Sequence, residues 1–297
     1  MDTRRALLVD AFTDEPLAGN AAGVVPDADG LTDPQLQAVA NELGASETAF
    51  VLPSGSADRR LRFFTPTTEV DLCGHATVAS HALLFDDGVI AAGDHTVETE
   101  TGVLDIAVEP DGTVWMRQHD PEVREVGLGR GRVAEALGLD VEALDVEGLP
   151  IARSTTGLPA LIVPVRLLEH LGGLDPDLPA IESLADEADV VGLYAFTFDT
   201  LDADATLHGR FFAPGAGVPE DPVTGTASGA AGGYLRHVGA FDGMPDELAF
   251  EQGHFVDRPG RVRVRVDETV EVGGRAAVAL DGELTVPPLE ADEIIEV

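Results

Sequence analysis

Two stretches free of Asp, Glu, Lys and Arg, His75–Phe85 and Thr226–Leu235, stand out in a chain that is otherwise 24% charged. Segments apolar on every side read as helices enclosed by other structure. Their small residues, Ala76, Ala79 and Ala82 in the first and Gly229, Ala230, Ala231 and Gly232 in the second, would let a sheet pack closely around them. Strand patterns flank them over Arg59–Phe64, Val97–Val108 and Arg261–Val266. A more ordinary amphipathic helix begins at Thr32 or Asp33, with Pro34 in its first turn. It carries a stripe of Leu36, Val39, Ala40 and Leu43 and stops at Gly44. Ala45–Leu52, which follows at once, reads as a strand.

The pattern repeats. Arg62-Phe63-Phe64-Thr65-Pro66 returns nearly half a chain later as Arg210-Phe211-Phe212-Ala213-Pro214, each copy followed by an acidic loop and a Gly that opens the charge-free segment. Cys73-Gly74-His75 thus aligns with Thr224-Gly225-Thr226. Gly19–Pro26 resembles Gly157–Pro164, and Glu47-Thr48-Ala49-Phe50 resembles Leu193-Tyr194-Ala195-Phe196. Four matches in one order predict a duplicated α+β fold of two pseudo-symmetric domains, each a mixed curved sheet around a buried helix. The halves are placed at 1–118 and 119–285, with 286–297 returning to the first.

Composition narrows the chemistry. Acidic residues number 54 against 18 basic ones, for a formal net charge of −36, and all the basic residues are Arg. Such self-repulsion needs screening, so adaptation to a salt-rich cytoplasm is expected; full structure and activity in millimolar salt would refute it. A nucleic-acid partner is not expected, because phosphate binding needs positive surface. Absence of Lys excludes a Lys Schiff base. Cys73, the one cysteine, excludes an internal disulfide, a Cys-ligated zinc cluster and a two-thiol racemase within one chain. No apolar run approaches the roughly 18 residues of a membrane span. The start, charged by Arg4, Arg5 and Asp10, does not read as a signal peptide, and the expected location is cytoplasmic.

Two helix starts facing one cleft, at Gly74 and Gly225, would offer free N–H groups and positive dipole ends to a carboxylate. Glu47 stands on the same side of its expected strand as Ala45, Ala49 and Val51, and its apparent counterpart is the apolar Leu193. A carboxyl group desolvated there would take and give a proton near neutral pH. A solvated edge carboxylate is the alternative. His75, in the first turn of its helix, is a candidate to orient substrate, or a core histidine; His81, six residues on, lies on another face, so the pair makes no metal site. Asp221 before Pro222 fits a site or a turn. Thr226 offers a hydroxyl or a cap. Cys73 beside a helix start would be acidified, with packing as the other role.

Taken together, Val9-Asp10-Ala11-Phe12-Thr13 with Gly19-Asn20, Ser46-Glu47-Thr48-Ala49-Phe50, Cys73-Gly74-His75-Ala76-Thr77 and Asp221-Pro222-Val223-Thr224-Gly225-Thr226-Ala227 resemble the phenazine-biosynthesis PhzF-like family, of diaminopimelate-epimerase fold. The resemblance implies a homodimer without cofactor and a site between two domains; no metal is expected. Its general acid/base glutamate falls on Glu47, its supporting His on His75 and its aspartate on Asp221. Asn20, Cys73, Gly74, Gly225 and Thr226 are then the residues around the substrate, with Thr226 where the family often has Ser.

The expected activity is a cofactor-independent isomerisation that shifts a proton and a double bond on a small carboxylic acid. One acid/base group suffices for a shift on one face, whereas inversion at carbon normally needs two. The rival readings are a non-catalytic metabolite-binding protein on the same scaffold, and an epimerase or racemase using Glu47 with Cys73 or Asp221.

Overall fold

The computed structural model describes residues 2–267 and 269–288. The chain runs β1 (Asp2–Ala11), β2 (Asn20–Val25), α1 (Asp33–Leu43), β3 (Thr48–Leu52), β4 (Arg59–Phe64), β5 (Glu69–Val70), α2 (Gly74–Asp86), β6 (Gly93–Thr99), β7 (Gly102–Val108) and β8 (Val114–Arg117). It continues with β9 (Glu122–Glu125), α3 (Arg130–Ala136), β10 (Ala152–Thr155), β11 (Ala160–Pro164), α4 (Leu168–Gly172), α5 (Leu178–Ala188), β12 (Gly192–Thr197) and β13 (Leu207–Ala213). The last elements are β14 (Val218–Asp221), α6 (Gly225–Val238), β15 (Leu248–Gln252), β16 (Gly260–Val266), β17 (Val270–Gly274) and β18 (Ala276–Val286).

The pairings repeat as the sequence does. β2 runs parallel to β3 as β11 does to β12, and β4 parallel to β6 as β13 does to β15. The equivalent strands β8 and β17 pair antiparallel with each other, centred on Met116 opposite Val272, and join the two curved sheets. The fold is α+β, with α2 inside the first sheet and α6 inside the second. β18 returns to pair along the whole of β1, Val286 opposite Asp2. Of the segment 286–297 expected to return, 289–297 lie outside the described residues.

Both charge-free segments are helical and buried nearly throughout. Polar residues of α2 survive burial by bonding back to carbonyls four residues earlier: Thr77 Oγ1 to Cys73 O (2.7 Å), Ser80 Oγ to Ala76 O (2.7 Å) and His81 Nδ1 to Thr77 O (2.9 Å). α1 starts and stops as expected, with Pro34 in its first turn and Gly44 left-handed at φ 65°, and buries Leu36, Val39 and Ala40. Two strand expectations are corrected. Val97–Val108 is not one strand but most of the hairpin β6–β7, turning at Glu100-Thr101, where Gly102 adopts φ 123°. The strand after α1 begins at Thr48, so Glu47 lies in the preceding loop rather than on the strand.

Candidate active site

The repeated Arg-Phe-Phe pins the approach to each helix. In the first half, the Arg62 guanidinium donates Nε and Nη2 to the two carboxylate oxygens of Glu69 (both 2.7 Å) and lies 5.1 Å from the Phe64 ring. In the second, Arg210 does the same to Glu220 (2.8 and 2.7 Å) and lies 5.1 Å from Phe212. These paired, stacked guanidiniums hold β5 and β14 to the sheets. From β5 and β14 the chain enters the two central helices at Gly74 and Gly225, where neither N-cap side chain accepts a helix N–H. The two starts meet: a methyl group built on Gly74 would stand 3.8 Å from Cγ2 of Thr226. Two positive helix ends therefore converge on one spot.

Around that spot lies a cavity of about 900 Å³. Its lining includes Asn20, Glu47, Cys73, Gly74, His75, Asp221 and Thr226, which brings together seven of the eight residues singled out from sequence. Gly225 sits beneath the surface instead. A Cβ there would stand 2.9 Å from Cζ of Phe12, so this position must be Gly for the buried Phe12 ring, held at φ 64°, to seat under the helix.

Glu47 reaches the cavity from its loop, which is anchored by Gly23 N donating to Glu47 O (2.9 Å). Its Oε2 stands 3.5 Å from His75 Nε2, and its side chain keeps 26% of its surface exposed. The desolvation expected of Glu47 is therefore partial. His75 Nε2 is also 3.5 Å from Ser46 Oγ, and its Nδ1 is 3.4 Å from Cys73 Sγ. Opposite, Asp221 is crossed by a bond from the other half: Asn20 Nδ2 donates to Oδ1 (2.9 Å) and to Val223 O (2.8 Å). Thr224 Oγ1 donates to Asp221 Oδ2 (2.5 Å). Burial pushes the Asp221 carboxyl above its ordinary range; His75, Thr224 and Asn20 pull the other way, and the Glu47 charge adds to the rise.

Two expectations change. Cys73 is 7% exposed, and burial, with the Glu47 and Asp221 charges, pushes its thiol well up despite the N–H groups of Ala76 and His75. The helix start does not acidify it. The counterpart of Glu47 is also not Leu193. Thr48 pairs with Phe64 as Leu193 pairs with Phe212, and Gly23 lies opposite Thr48 as Leu161 lies opposite Leu193. Position 47 therefore corresponds to Gly192, one residue earlier, so the second half has no side chain at that place.

Several lining or supporting groups were not read from sequence. Gln252 Nε2 donates to Asp221 O (2.8 Å) and its Oε1 accepts from Thr224 N (3.3 Å), tying β15 to the α6 start. Arg258 Nη2 donates to buried Asp10 (2.6 Å) and its Nε to Gly19 O (3.0 Å), clasping the halves beside the cavity. The only signals for them were a buried-type polar residue at a strand end and one Arg in an Arg-poor loop. Away from the helix starts the wall has an apolar part, with Leu104, Met116, Leu158, Val191, Phe211 and Val218, and a polar part that includes Arg117, Gln118, His119 and Thr156. The arrangement can seat an anion at the helix starts, lay hydrocarbon on the apolar wall, and place a carboxylate and an imidazole against it. His81 is buried away from this cavity, while donor atoms of Glu47, Cys73 and His75 lie within 4.8 Å of one another, close enough for one metal ion.

Comparison with known proteins matches residues 9–282 to the family described as phenazine biosynthesis-like protein, PhzC-PhzF. An uncharacterized isomerase of Deinococcus radiodurans is 41% identical over 92% of each chain. The uncharacterized isomerase YfhB of Bacillus subtilis is 37% identical over 95% of this chain and 96% of that one. The crystal structure of a PhzF-family phenazine biosynthesis protein from Bacillus anthracis superposes with a TM-score of 0.88 at 37% identity, covering 96% of this chain and all of that one.

Proposed function

We propose, from the premise that this chain belongs to the phenazine biosynthesis-like PhzC-PhzF family and is an isomerase of that kind with the epimerase-like fold, that it shifts a proton and a double bond on a small carboxylic acid. In this reading the substrate carboxylate docks at the N-termini of α2 and α6, and its hydrocarbon part lies on the wall of Met116 and Phe211. Glu47 takes a proton from carbon, the electron pair moves into the adjoining π system, and the proton returns at another carbon on the same face. His75 and Asp221 orient the substrate and balance the charge, with Thr226 Oγ1 as a further donor. The step is a proton transfer and calls for no cofactor.

The observation that carries the reading is the meeting of Glu47, His75 and Asp221 around two converging helix starts in one cavity. Anion binding there uses main-chain dipoles, which suits a chain with no Lys and three acidic residues for each Arg. The second half has Gly192 where the first has Glu47, so the repeat supplies no second glutamate, which favours movement on one face over inversion. Among the described residues no helix is long and apolar enough to cross a membrane. The reading includes a homodimer in a salt-rich cytoplasm, tested by sedimentation in molar and in millimolar KCl.

The test is proton NMR in heavy water and molar KCl with a panel of unsaturated and α-chiral carboxylic acids. Loss of one C–H signal with a moved double bond is the expected result. Binding without exchange would make the protein a metabolite binder, and exchange with loss of optical rotation would make it an epimerase.

A further inference from the structure

We propose that Glu47, Cys73 and His75 form a binding site for a thiophilic divalent cation of the zinc class, and that the ion and the substrate exclude each other. The geometry is close to what such an ion requires. His75 Nε2 stands 3.5 Å from Glu47 Oε2 and 3.8 Å from Cys73 Sγ, and the three donor atoms fall within 4.8 Å of one another. Tetrahedral zinc, with Zn–S near 2.3 Å and Zn–N near 2.0–2.1 Å, sets neighbouring ligand atoms roughly 3.3–3.6 Å apart. Side-chain rotations of Glu47 and His75 would close the remaining gaps, and the Glu47 carboxylate has His75 as its one polar side-chain partner among the described residues.

The donor set selects the ion. One sulfur, one imidazole nitrogen and one carboxylate suit Zn²⁺ or Co²⁺; Mg²⁺ and Ca²⁺ need oxygen shells that three such ligands do not supply. Enclosure favours binding further. Cys73 and His75 are largely covered, at 7% for the residue and 13% for the side chain, and all three residues line the cavity. A bound ion would occupy the carboxylate lone pair that the proposed proton transfer uses. That second part rests on the proposed function; the site itself does not.

The experiment titrates the full chain in molar KCl with Co²⁺, without oxygen. The site predicts one Co²⁺ per chain, tetrahedral visible bands and a thiolate-to-cobalt band in the near ultraviolet, displaced by Zn²⁺ and not by a hundredfold excess of Mg²⁺. Cys73→Ser removes the ultraviolet band, and Glu47→Gln and His75→Asn each weaken binding by at least about tenfold. Absence of the thiolate band in the wild type, its persistence in Cys73→Ser, or unchanged affinity in both other variants would overturn the site. If Cys73→Ser fails to fold by circular dichroism, the other two variants decide. Cobalt binding without any zinc effect on proton exchange would leave the site standing and remove the exclusion.

Discussion

Asn20 and Asp221, one from each half of the molecule, are joined by a 2.9 Å hydrogen bond across the cavity floor. The same Asn20 amide donates to Val223 O, so both of its protons are spent in holding the acidic loop of the second half against β2 of the first. Asn20 is 4% exposed.

Asn20→Ala leaves Val223 O and one Asp221 oxygen short of a donor in a buried place, at a cost of about 1–3 kcal/mol. Asn20→Asp adds like-charge repulsion and costs more. Urea denaturation of the three proteins in molar KCl should rank them wild type, Ala, Asp in falling stability. A ranking with Asp above Ala would mean that the Asn20 protons do not hold the loop.

The two Arg-Glu clamps are alike in geometry and unlike in burial. Side-chain exposures are 8% for Arg210 and 14% for Glu220, against 16% for Arg62 and 33% for Glu69. Arg210 also donates to Leu171 O (3.0 Å), which would be left unpaired. Arg210→Ala should therefore cost about 3–5 kcal/mol, and Arg62→Ala about 1 kcal/mol. Equal losses in denaturant melts would contradict this assignment.

His81 gives an acid limit to stability. Its Nδ1 faces the Thr77 carbonyl and must carry the proton, while Nε2 is buried without a partner among the described residues. Burial lowers its pKa from 6.5 to about 4. The unfolded chain then binds the proton more readily, so the stabilisation is present above pH 6.5 and is lost as pH falls towards 4. The full difference is on the order of 3 kcal/mol. Asp221 acts in the opposite sense: its raised carboxyl favours the folded state at low pH, and that share fades as pH rises above 3.8 through the folded value. Wild type minus His81→Gln, measured by urea melts between pH 4 and 7, should rise with pH; a flat difference would contradict the burial argument.

Much of this was legible in the sequence because it depends on local pattern. Absence of charge over His75–Phe85 reads as a buried helix, and the two Arg-Phe-Phe copies mark equivalent strands because each Arg is followed by the acid it pairs with, Glu69 seven residues on and Glu220 ten. Register was not legible. Phe50 and Phe196 look equivalent in one dimension, yet the ladders set Phe50 opposite Arg62 and Ala195 opposite Arg210, which moves the partner of Glu47 to Gly192. Arg258 and Gln252 escaped notice because their contacts, Gly19 and Asp221, are remote in the chain and follow from how two sheets close on each other. The partial exposure of Glu47 likewise depends on where its loop meets the cavity mouth, and composition cannot report that.

The central claim concerns one carboxyl group, and Glu47→Gln tests it with the least change in shape. The measurement is the rate of deuterium uptake from solvent at substrate carbon, compared for wild type and variant on the acid that the NMR panel identifies. Removal of the base predicts a fall of about 10²–10⁴-fold while binding of that acid is retained. Exchange by Glu47→Gln at near the wild-type rate would contradict the account.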